Sequence, residues 1–480
     1  RAVEADVITY SALVSVFEKS DKWAEALKLL GVMQRRGLEP GIIIYSSAIG
    51  ACSKVGQWEI ALVLLCDARQ RYTTEYLSHL AWAFATLSAS DALLLRRIAA
   101  DASGKVRNLK IEMLTNLAWA YASLEEAENV LFRNIAVELV VRLDALQLSK
   151  CSEFSMAAFA KRIIMLMWAF NFAAYVNGPF LLAASATLRR IGQSLDNLRG
   201  SSNPVPGPYC LSGCTRNARS ACPRVLDEPQ LLIDLVDRSV IQKPPDWQVD
   251  DDVALSEARP LSHYLQALNS ARRCPILYDA QHQRGFLHRL DVPSSGLILI
   301  AKTYEAFYDM QIQLSTGKVV RDYMILCHGW ISPARCEISA RVYEGTSSST
   351  VCRQGKPSCT RLKIIAHVRR RESSFSLVAI RLRTGRTHQI RVHTAHISHP
   401  TVCDGRYTAL ATFTSDSAWS PRNILHRHRL GFRDGMGLLQ EVMAPLPLDL
   451  VDALAHVSAR GGESTDALKL WQSGRGHCDW

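Results

Sequence analysis

Apolar and small residues recur at helical spacing through the first part of the chain, and they do so twice in nearly the same order. VITYSALVSVFEKSDKWAEALKLLGVMQRRGLEP and IIIYSSAIGACSKVGQWEIALVLLCDARQRYTTEY superpose at a period of 35, which sets Tyr10 over Tyr45, Trp23 over Trp58, Ala26 over Ala61 and Leu30 over Leu65. A period of this length predicts stacked helical hairpins, because one unit alone cannot bury its apolar face. The polar breaks Lys-Ser-Asp and Lys-Val-Gly separate the two helices of each unit. From Tyr76 to about Ile191 the pattern stays helical and apolar, with LAWAFATL (Leu80–Leu87) echoed by LAWAYASL (Leu117–Leu124) and then MLMWAFNF (Met165–Phe172). Trp82, Trp119 and Trp168 are expected in the core of these units. Ile163 to Leu188 carries no charge and is long enough to cross a bilayer. Asn171, Asn177 and Gly178-Pro179 interrupt it, so the expectation is a buried helical hairpin and no membrane partner.

The periodicity ends at Ser201. SSNPVPGPYCLSGCTRNARSACPR (Ser201–Arg224) is rich in Pro, Gly and Ser and predicts an irregular linker. Its Cys210, Cys214 and Cys222 lack a fourth ligand and the paired spacing of a zinc site, so no metal is expected. Thirteen cysteines without a regular framework suit a reducing compartment. Beyond the linker, short apolar runs replace the helical period. Leu287–Thr303 (LHRLDVPSSGLILIAKT) ends in a strand, and Leu382–His393 (LRTGRTHQIRVH) reads as a strand followed by a glycine-containing turn.

Charge then narrows the chemistry. The formal net charge is +11 and the pI about 9.1, which favours a polyanionic partner. Arg369, Arg370, Arg371, Arg381, Arg383, Arg386 and Arg391 crowd one stretch that holds only Glu372 as a counter-charge. Guanidinium forks match phosphate oxygens. Asp291, beside Arg289, is a lone carboxylate flanked by cations, fit to act as nucleophile or base when a positive partner holds it. Arg386 is the natural candidate for that partner.

HRLD followed by Ser294-Ser295-Gly296 and an apolar strand, then GRTHQIR, resembles the RluA-type pseudouridine synthase family. IQKPPDWQVDDD (Ile241–Asp252), VVRDYMILCHGW with Tyr323, ILHRHRL (Ile424–Leu430) and APLPLDL (Ala444–Leu450) extend the likeness over Leu231 to Leu454. The chain departs from the family pattern at Ser294, at Arg321 and at Pro245. The resemblance implies an enzyme that converts uridine to pseudouridine in RNA without a cofactor. It implies catalytic roles for Asp291, Tyr323 and Arg386. Tyr323 would stack on the uracil or move a proton, and Arg386 would pair with Asp291. His388 and His393 are expected to serve as structural hydrogen-bonding groups. Arg289, Arg369, Arg370, Arg371, Arg383 and Arg391 are expected to contact RNA.

The repeats of the first segment resemble pentatricopeptide repeats, which implies RNA reading through Ser11 with Gly41 and Ser46 with Tyr76. The fold expected is multidomain: an all-α solenoid, then an α+β synthase domain with a central mixed or antiparallel sheet. Its parts are pentatricopeptide-like repeats at 1–76, degenerate helical repeats at 77–200, a linker at 201–224, the synthase domain at 225–460 and a tail at 461–480. The expected partner is RNA, whether rRNA, tRNA or an organellar transcript, bound by a monomer. The repeat resemblance implies a mitochondrion or chloroplast. The chain begins at Arg1 inside a repeat, so a longer protein is expected. Two rival readings are a non-catalytic RNA-binding protein that retains the synthase fold, and a helical scaffold for protein partners.

Overall fold

A computed structural model of the chain describes residues 6–54 apart from 21, scattered positions between 57 and 85, 92–200 apart from 127, 128 and 176, and 227–480 apart from 251–258, 346, 347, 477 and 479. It divides into two compact units, Arg1–Ala186 and Thr187–Trp480.

The first unit is helical: α1 (Val7–Lys19), α2 (Trp23–Arg35), α3 (Ile42–Lys54), α4 (Ala92–Ser103), α5 (Ile111–Ser123), α6 (Asn129–Asp144), α7 (Glu153–Phe172) and the start of α8 (Gly178–Leu198). α1 packs on both α2 and α3. Tyr10 and Tyr45, equivalent in the repeat, are both buried, as are Val14, Ala26, Leu30 and Met33. The 35-residue period is thus a period of core positions. Ser15 and Ser47 join α1 to α3 through their hydroxyls at 3.1 Å.

α5 lies against α7, and Leu117, Ala118, Ala120 and Tyr121 of the LAWAYASL segment are buried. The tryptophans are not where the pattern put them. Trp82 is 38% exposed, while Trp119 and Trp168 are half-buried. The small residues of the motif let helices approach, and the indoles are left at the edge; Trp168 stacks on Phe172 at 5.0 Å. The uncharged stretch turns after α7, where Ala174 has φ +53°, and the Asn177 side chain accepts the Phe180 N–H at 2.9 Å to start α8. Among the described residues no helix is long and apolar enough to cross a membrane.

The second unit is built on a ten-stranded sheet. Its strands and helices run β1 (Gln230–Asp234), β2 (Arg238–Lys243), β3 (Trp247–Gln248), β4 (Arg259–Pro260), α9 (Leu261–Leu268), β5 (Ser295–Ala301), α10 (Tyr304–Ser315), β6 (Val320–His328), β7 (Glu337–Ser339), β8 (Val342–Glu344) and β9 (Ser349–Val351). They continue with β10 (Cys359–Arg370), β11 (Ser373–Leu382), α11 (Gln389–His396), α12 (Leu410–Ser417), β12 (Leu425–Arg433), β13 (Leu439–Met443), α13 (Leu448–Ala455), β14 (Ser458–Ala459) and α14 (Gly462–Gln472). The sheet order is β1-β2-β5-β12-β6-β11-β10-β14, with β13 on β12 and β7 on β10. β12 joins β5 in parallel and the other pairings are antiparallel, which makes the sheet mixed. Alternation along β6 sends Met324 and Leu326 into a core with Phe375, Trp419, Leu450 and Leu454. Arg321 and Tyr323 therefore point to the other face.

Two expected boundaries move. The second unit begins at Thr187, because the end of α8 is built into it. Asp196 accepts the backbone N–H groups of Tyr304 and Glu305, each at 2.9 Å, and so caps α10. Gly192 is required there: a Cβ would lie 2.5 Å from Glu305 Cα. The expected tail is the helix α14, whose Leu468 and Trp471 belong to the core. Polarity in GESTDALKLWQ hid two inward-facing apolar residues at helical spacing. The segment 201–224 with Cys210, Cys214 and Cys222 lies outside the described residues, as do Trp58, Ala61, Leu65, Tyr76 and the side chain of Ser46.

Candidate active site

Asp291 stands in the turn that feeds β5, and three buried side chains fix the backbone just after it. Lys243, with no exposure at all, donates to the carbonyls of Pro244 (2.8 Å), Trp247 (2.7 Å) and Val292 (3.1 Å). Burial and the neighbouring Arg422 pull its amine down to about 7, against the opposing pull of Asp291. Arg422 donates to Pro293 O and to the Ser295 hydroxyl, both at 3.0 Å, while Asp449 takes its charge. His426 holds the same hydroxyl at 2.8 Å; burial and Arg422 push its imidazole down to about 3, so it is neutral. Gly296, at φ +127°, lets β12 come close, since a Cβ would lie 2.4 Å from Arg427 O.

The carboxylate faces Arg391. Arg391 Nη1 donates to Asp291 Oδ2 at 2.7 Å, and its Nε and Nη2 hold Asp404 at 2.8 and 2.7 Å. Burial would lower the guanidinium's pKa, but Asp404 and Asp291 outweigh it and raise it. For Asp404 burial acts upward, and the hydrogen bonds and charge of Arg391 outweigh it and hold the carboxyl below its ordinary value. Asp404 is 1% exposed, whereas the Asp291 side chain keeps 26% of its surface open, so Asp291 is the acid a substrate can reach. His388 lies 3.8 Å from Asp291 and shares a 2.9 Å hydrogen bond with the Tyr407 hydroxyl. Burial lowers its pKa.

The expected partnership of Asp291 with Arg386 is therefore corrected: Arg391 is the partner. Arg386 belongs to a turn organised by Gln389, whose side-chain oxygen takes the Arg386 N–H at 3.0 Å and the Thr384 hydroxyl at 2.9 Å. Its Nη2 reaches Pro357 O at 3.5 Å, and the acid opposing its burial is Glu344. Arg391 is five residues further along, in the first turn of α11, and its guanidinium reaches Asp291. Glu344 accepts from the backbone and hydroxyl of Thr387, both at 2.9 Å, and is held down at about 2, because Lys356 and Thr387 outweigh its burial.

Tyr323 is buried on β6, with Arg427 over its ring at 4.8 Å and donating to its hydroxyl. His393 is a buried structural group, joined to Thr360 at 2.9 Å and to Ala340 O at 3.1 Å, with burial lowering its pKa to about 4. Arg289 and Arg383 are exposed near these segments. Arg369 to Arg371 occupy the β10–β11 hairpin, with Arg371 at φ +51°. That hairpin is at the far end of β11 from Leu382, about 30 Å at strand rise, so these arginines are remote from Asp291. Arg369 lies over Trp330 at 4.6 Å and Arg370 over Trp419 at 5.0 Å. In the first unit, the Ser11 hydroxyl donates to Val7 O at 2.7 Å within its own helix.

Sequence reasoning missed Asp404, Lys243, Arg422 and Arg427 as parts of this site. A signal existed for one of them: between Glu372 and Asp434 the chain has only Asp404 and Asp416 to balance many arginines. Asp416 pairs with His328 at 2.8 Å, and Asp404 with Arg391. Among the described residues no cluster of His, Cys, Asp or Glu could hold a metal ion.

The family profile described as RNA pseudouridylate synthase matches residues 238–396, and those of the pentatricopeptide repeat domain and the PPR repeat match 1–55 and 43–71. "Uncharacterized RNA pseudouridine synthase YlyB" of Bacillus subtilis is 35% identical over 181 residues, 37% of this chain and 57% of that protein. "Ribosomal large subunit pseudouridine synthase D" of Buchnera aphidicola is 32% identical over 36% of this chain and 58% of its own length. The chain thus spans a little under three-fifths of both relatives. The protein of the same name from Escherichia coli K12 is 30% identical over 260 residues, 50% of this chain and 76% of that one. The solved structure "Human RNA Pseudouridylate Synthase Domain Containing 1" is 24% identical and covers 54% of this chain and 99% of its own, at a TM-score of 0.40. Coverage of three-quarters of a relative at that identity, over the segment that carries the Asp291 turn, makes this chain a member of the RNA pseudouridylate synthase family.

Proposed function

We propose that the chain is an RNA pseudouridine synthase that isomerises specific uridines, with its helical repeats aiding RNA binding. The observation that carries this reading is the partly open Asp291 carboxylate, held at 2.7 Å by Arg391 on a backbone fixed by Lys243 and Arg422. The isomerisation breaks N1–C1′, turns the freed uracil and joins its C5 to C1′, with the C5 proton lost and one gained at N1. Asp291 serves as nucleophile at C1′ or as base at the sugar, and either role requires it unprotonated. Nothing in this sequence of bonds needs a cofactor. A stacked base is out of reach of a side chain, so the target nucleotide is extruded at a cost of a few kcal/mol. Phosphate contacts from Arg289, Arg383 and the basic surface offset that cost.

The substrate is rRNA, tRNA or an organellar transcript, and the protein acts as a monomer in a mitochondrion or chloroplast. Support for the organelle comes from the pentatricopeptide-type repeats alone. Asp291→Asn keeps the shape and removes the charge. It is expected to abolish tritium release from C5-labelled uridine in RNA while RNA affinity changes little; retained activity refutes the reading. Tyr323→Phe keeps the ring and removes the hydroxyl, so its activity separates stacking from proton transfer. Deleting residues 1–186 is expected to preserve activity on a short RNA and broaden the target profile, because the repeats raise the local concentration of particular RNAs. An unchanged profile would assign the repeats to another partner.

A further inference from the structure

On β6, Arg321 and Tyr323 point to the face opposite Asp322 and Met324. Arg427 is the register partner of Tyr323 across the β6–β12 pair. Its guanidinium donates to the Tyr323 hydroxyl, to Leu297 O at 2.8 Å and to His288 Nδ1 at 2.7 Å. None of these acceptors is a carboxylate; burial, with Arg427 and Arg321 nearby, holds the His288 pKa well below its ordinary value. Arg321 is 8% exposed, and its Nε is buried with no hydrogen-bond partner. Its head lies against the turn before Arg386, for a Cβ on Gly385 would meet Arg321 Nη1 at 2.9 Å.

No carboxylate pairs with either arginine among the described residues. Asp322 is on the other face and is held by Arg381 and Arg429, and Asp291 is held by Arg391. Among the described residues two cations thus lie buried together with no counter-ion, an arrangement that folding alone disfavours. Because Arg427 already occupies the Tyr323 hydroxyl, Arg321 is left as the cation in want of an anion.

We infer that Arg321 is a catalytic residue, the guanidinium that takes up the negative charge of the uracil when N1–C1′ breaks. The inference rests on the synthase reading above. Arg427 also reaches Arg289 O at 3.5 Å, two residues before Asp291, so the group of Arg321, Tyr323 and Arg427 stands beside the segment of the acid, to which an extruded base is brought. Uracil arrives neutral. The bonding pair of N1–C1′ passes to the ring and spreads over N1, O2 and O4; C5 then supplies a ring pair to bond to C1′, and loss of the C5 proton is balanced by protonation of N1. A cation fixed beforehand where charge develops lowers the barrier without tightening the ground state.

The test compares single-turnover glycosidic cleavage at saturating RNA, and RNA affinity, for wild type, Arg321→Met and Arg321→Lys on targets carrying uridine or 5-fluorouridine. Arg321→Met is expected to slow the uridine reaction by about 100-fold with affinity little changed, and Arg321→Lys by less. Both penalties should shrink on 5-fluorouridine, whose ring leaves more readily as an anion. Should Arg321→Met fail to fold, the Arg321→Lys comparison decides. Equal penalties on the two substrates would overturn the inference. So would an unchanged saturated rate with weaker, less salt-dependent binding, which assigns Arg321 to a phosphate. An active wild type with an unaffected Arg321→Met sinks this inference alone, while a wild type that binds RNA and releases no tritium sinks the synthase reading and this inference with it.

Discussion

Arg391 divides its guanidinium between two carboxylates, giving Nη1 to Asp291 at 2.7 Å and its other nitrogens to Asp404. One acid is open and the other is closed. Asp404 fixes the orientation of the arginine, and the arginine fixes the acid that faces substrate.

Arg391→Met leaves Asp404 buried without its counter-charge, which should cost about 3–5 kcal/mol of stability and abolish tritium release. Pairing it with Asp404→Asn should recover most of the stability and none of the activity. Arg386→Met, which removes the contact to Pro357 O and the charge that faces Glu344, should leave stability nearer to wild type. Urea unfolding beside the activity assay checks this, and a larger stability loss in Arg386→Met would contradict the assignment.

Lys243 gives a pH dependence of definite sign. Its folded pKa of about 7 lies below the ordinary 10.5, so between those values the unfolded chain binds a proton that the folded chain lacks. Stability from this group therefore rises with pH across that window, by up to about 1.4 kcal/mol per pH unit. Lys243→Met should remove that contribution, so the wild-type minus variant difference in unfolding free energy should grow from pH 7 to pH 9. Parallel curves would show that the amine is not buried as described. Activity should fall as well, since Val292 O loses the Lys243 donor and keeps only the Asp246 N–H.

The revised boundaries predict which pieces fold. A fragment of residues 187–480 should unfold cooperatively and retain tritium release, whereas 225–460 lacks both the Asp196 bonds to the start of α10 and the helix α14. Within the full chain, Asp196→Ala should cost about 1 kcal/mol as a lost helix cap. Trp471→Ala should cost about 3–5 kcal/mol as a large-to-small core change. Equal stability of the two fragments would return these segments to the status of helical repeat and tail.

RNA affinity should fall steeply with salt, because phosphate neutralisation releases counterions. Replacing Arg369, Arg370 and Arg371 with serine should weaken binding and flatten that salt response. The saturated single-turnover rate should be unaffected, given about 30 Å of strand between the hairpin and Leu382. A slowed saturated rate would place these arginines at the chemistry after all.

Much of the architecture is written locally. The 35-residue period marks positions such as Tyr10 and Tyr45 that a helical hairpin must bury, and the apolar run before Lys302 could only be an interior strand. HRLD and GRTHQIR likewise named Asp291, because a lone acid between cations is legible as residue type. Its partner was not legible. Arg386 and Arg391 are equally charged and nearly adjacent, and the choice between them depends on where the Gln389 turn ends and α11 begins, which in turn depends on contacts to Cys359 and Thr360 on β10. The pairing of Asp404 with Arg391, the clamp of Lys243 on Val292 and the place of Arg427 over Tyr323 join segments 13, 49 and 104 residues apart. Periodicity records which face of an element is apolar; only the assembled sheet decides which buried charges meet, because a charge is placed there by whatever partner the fold brings within reach.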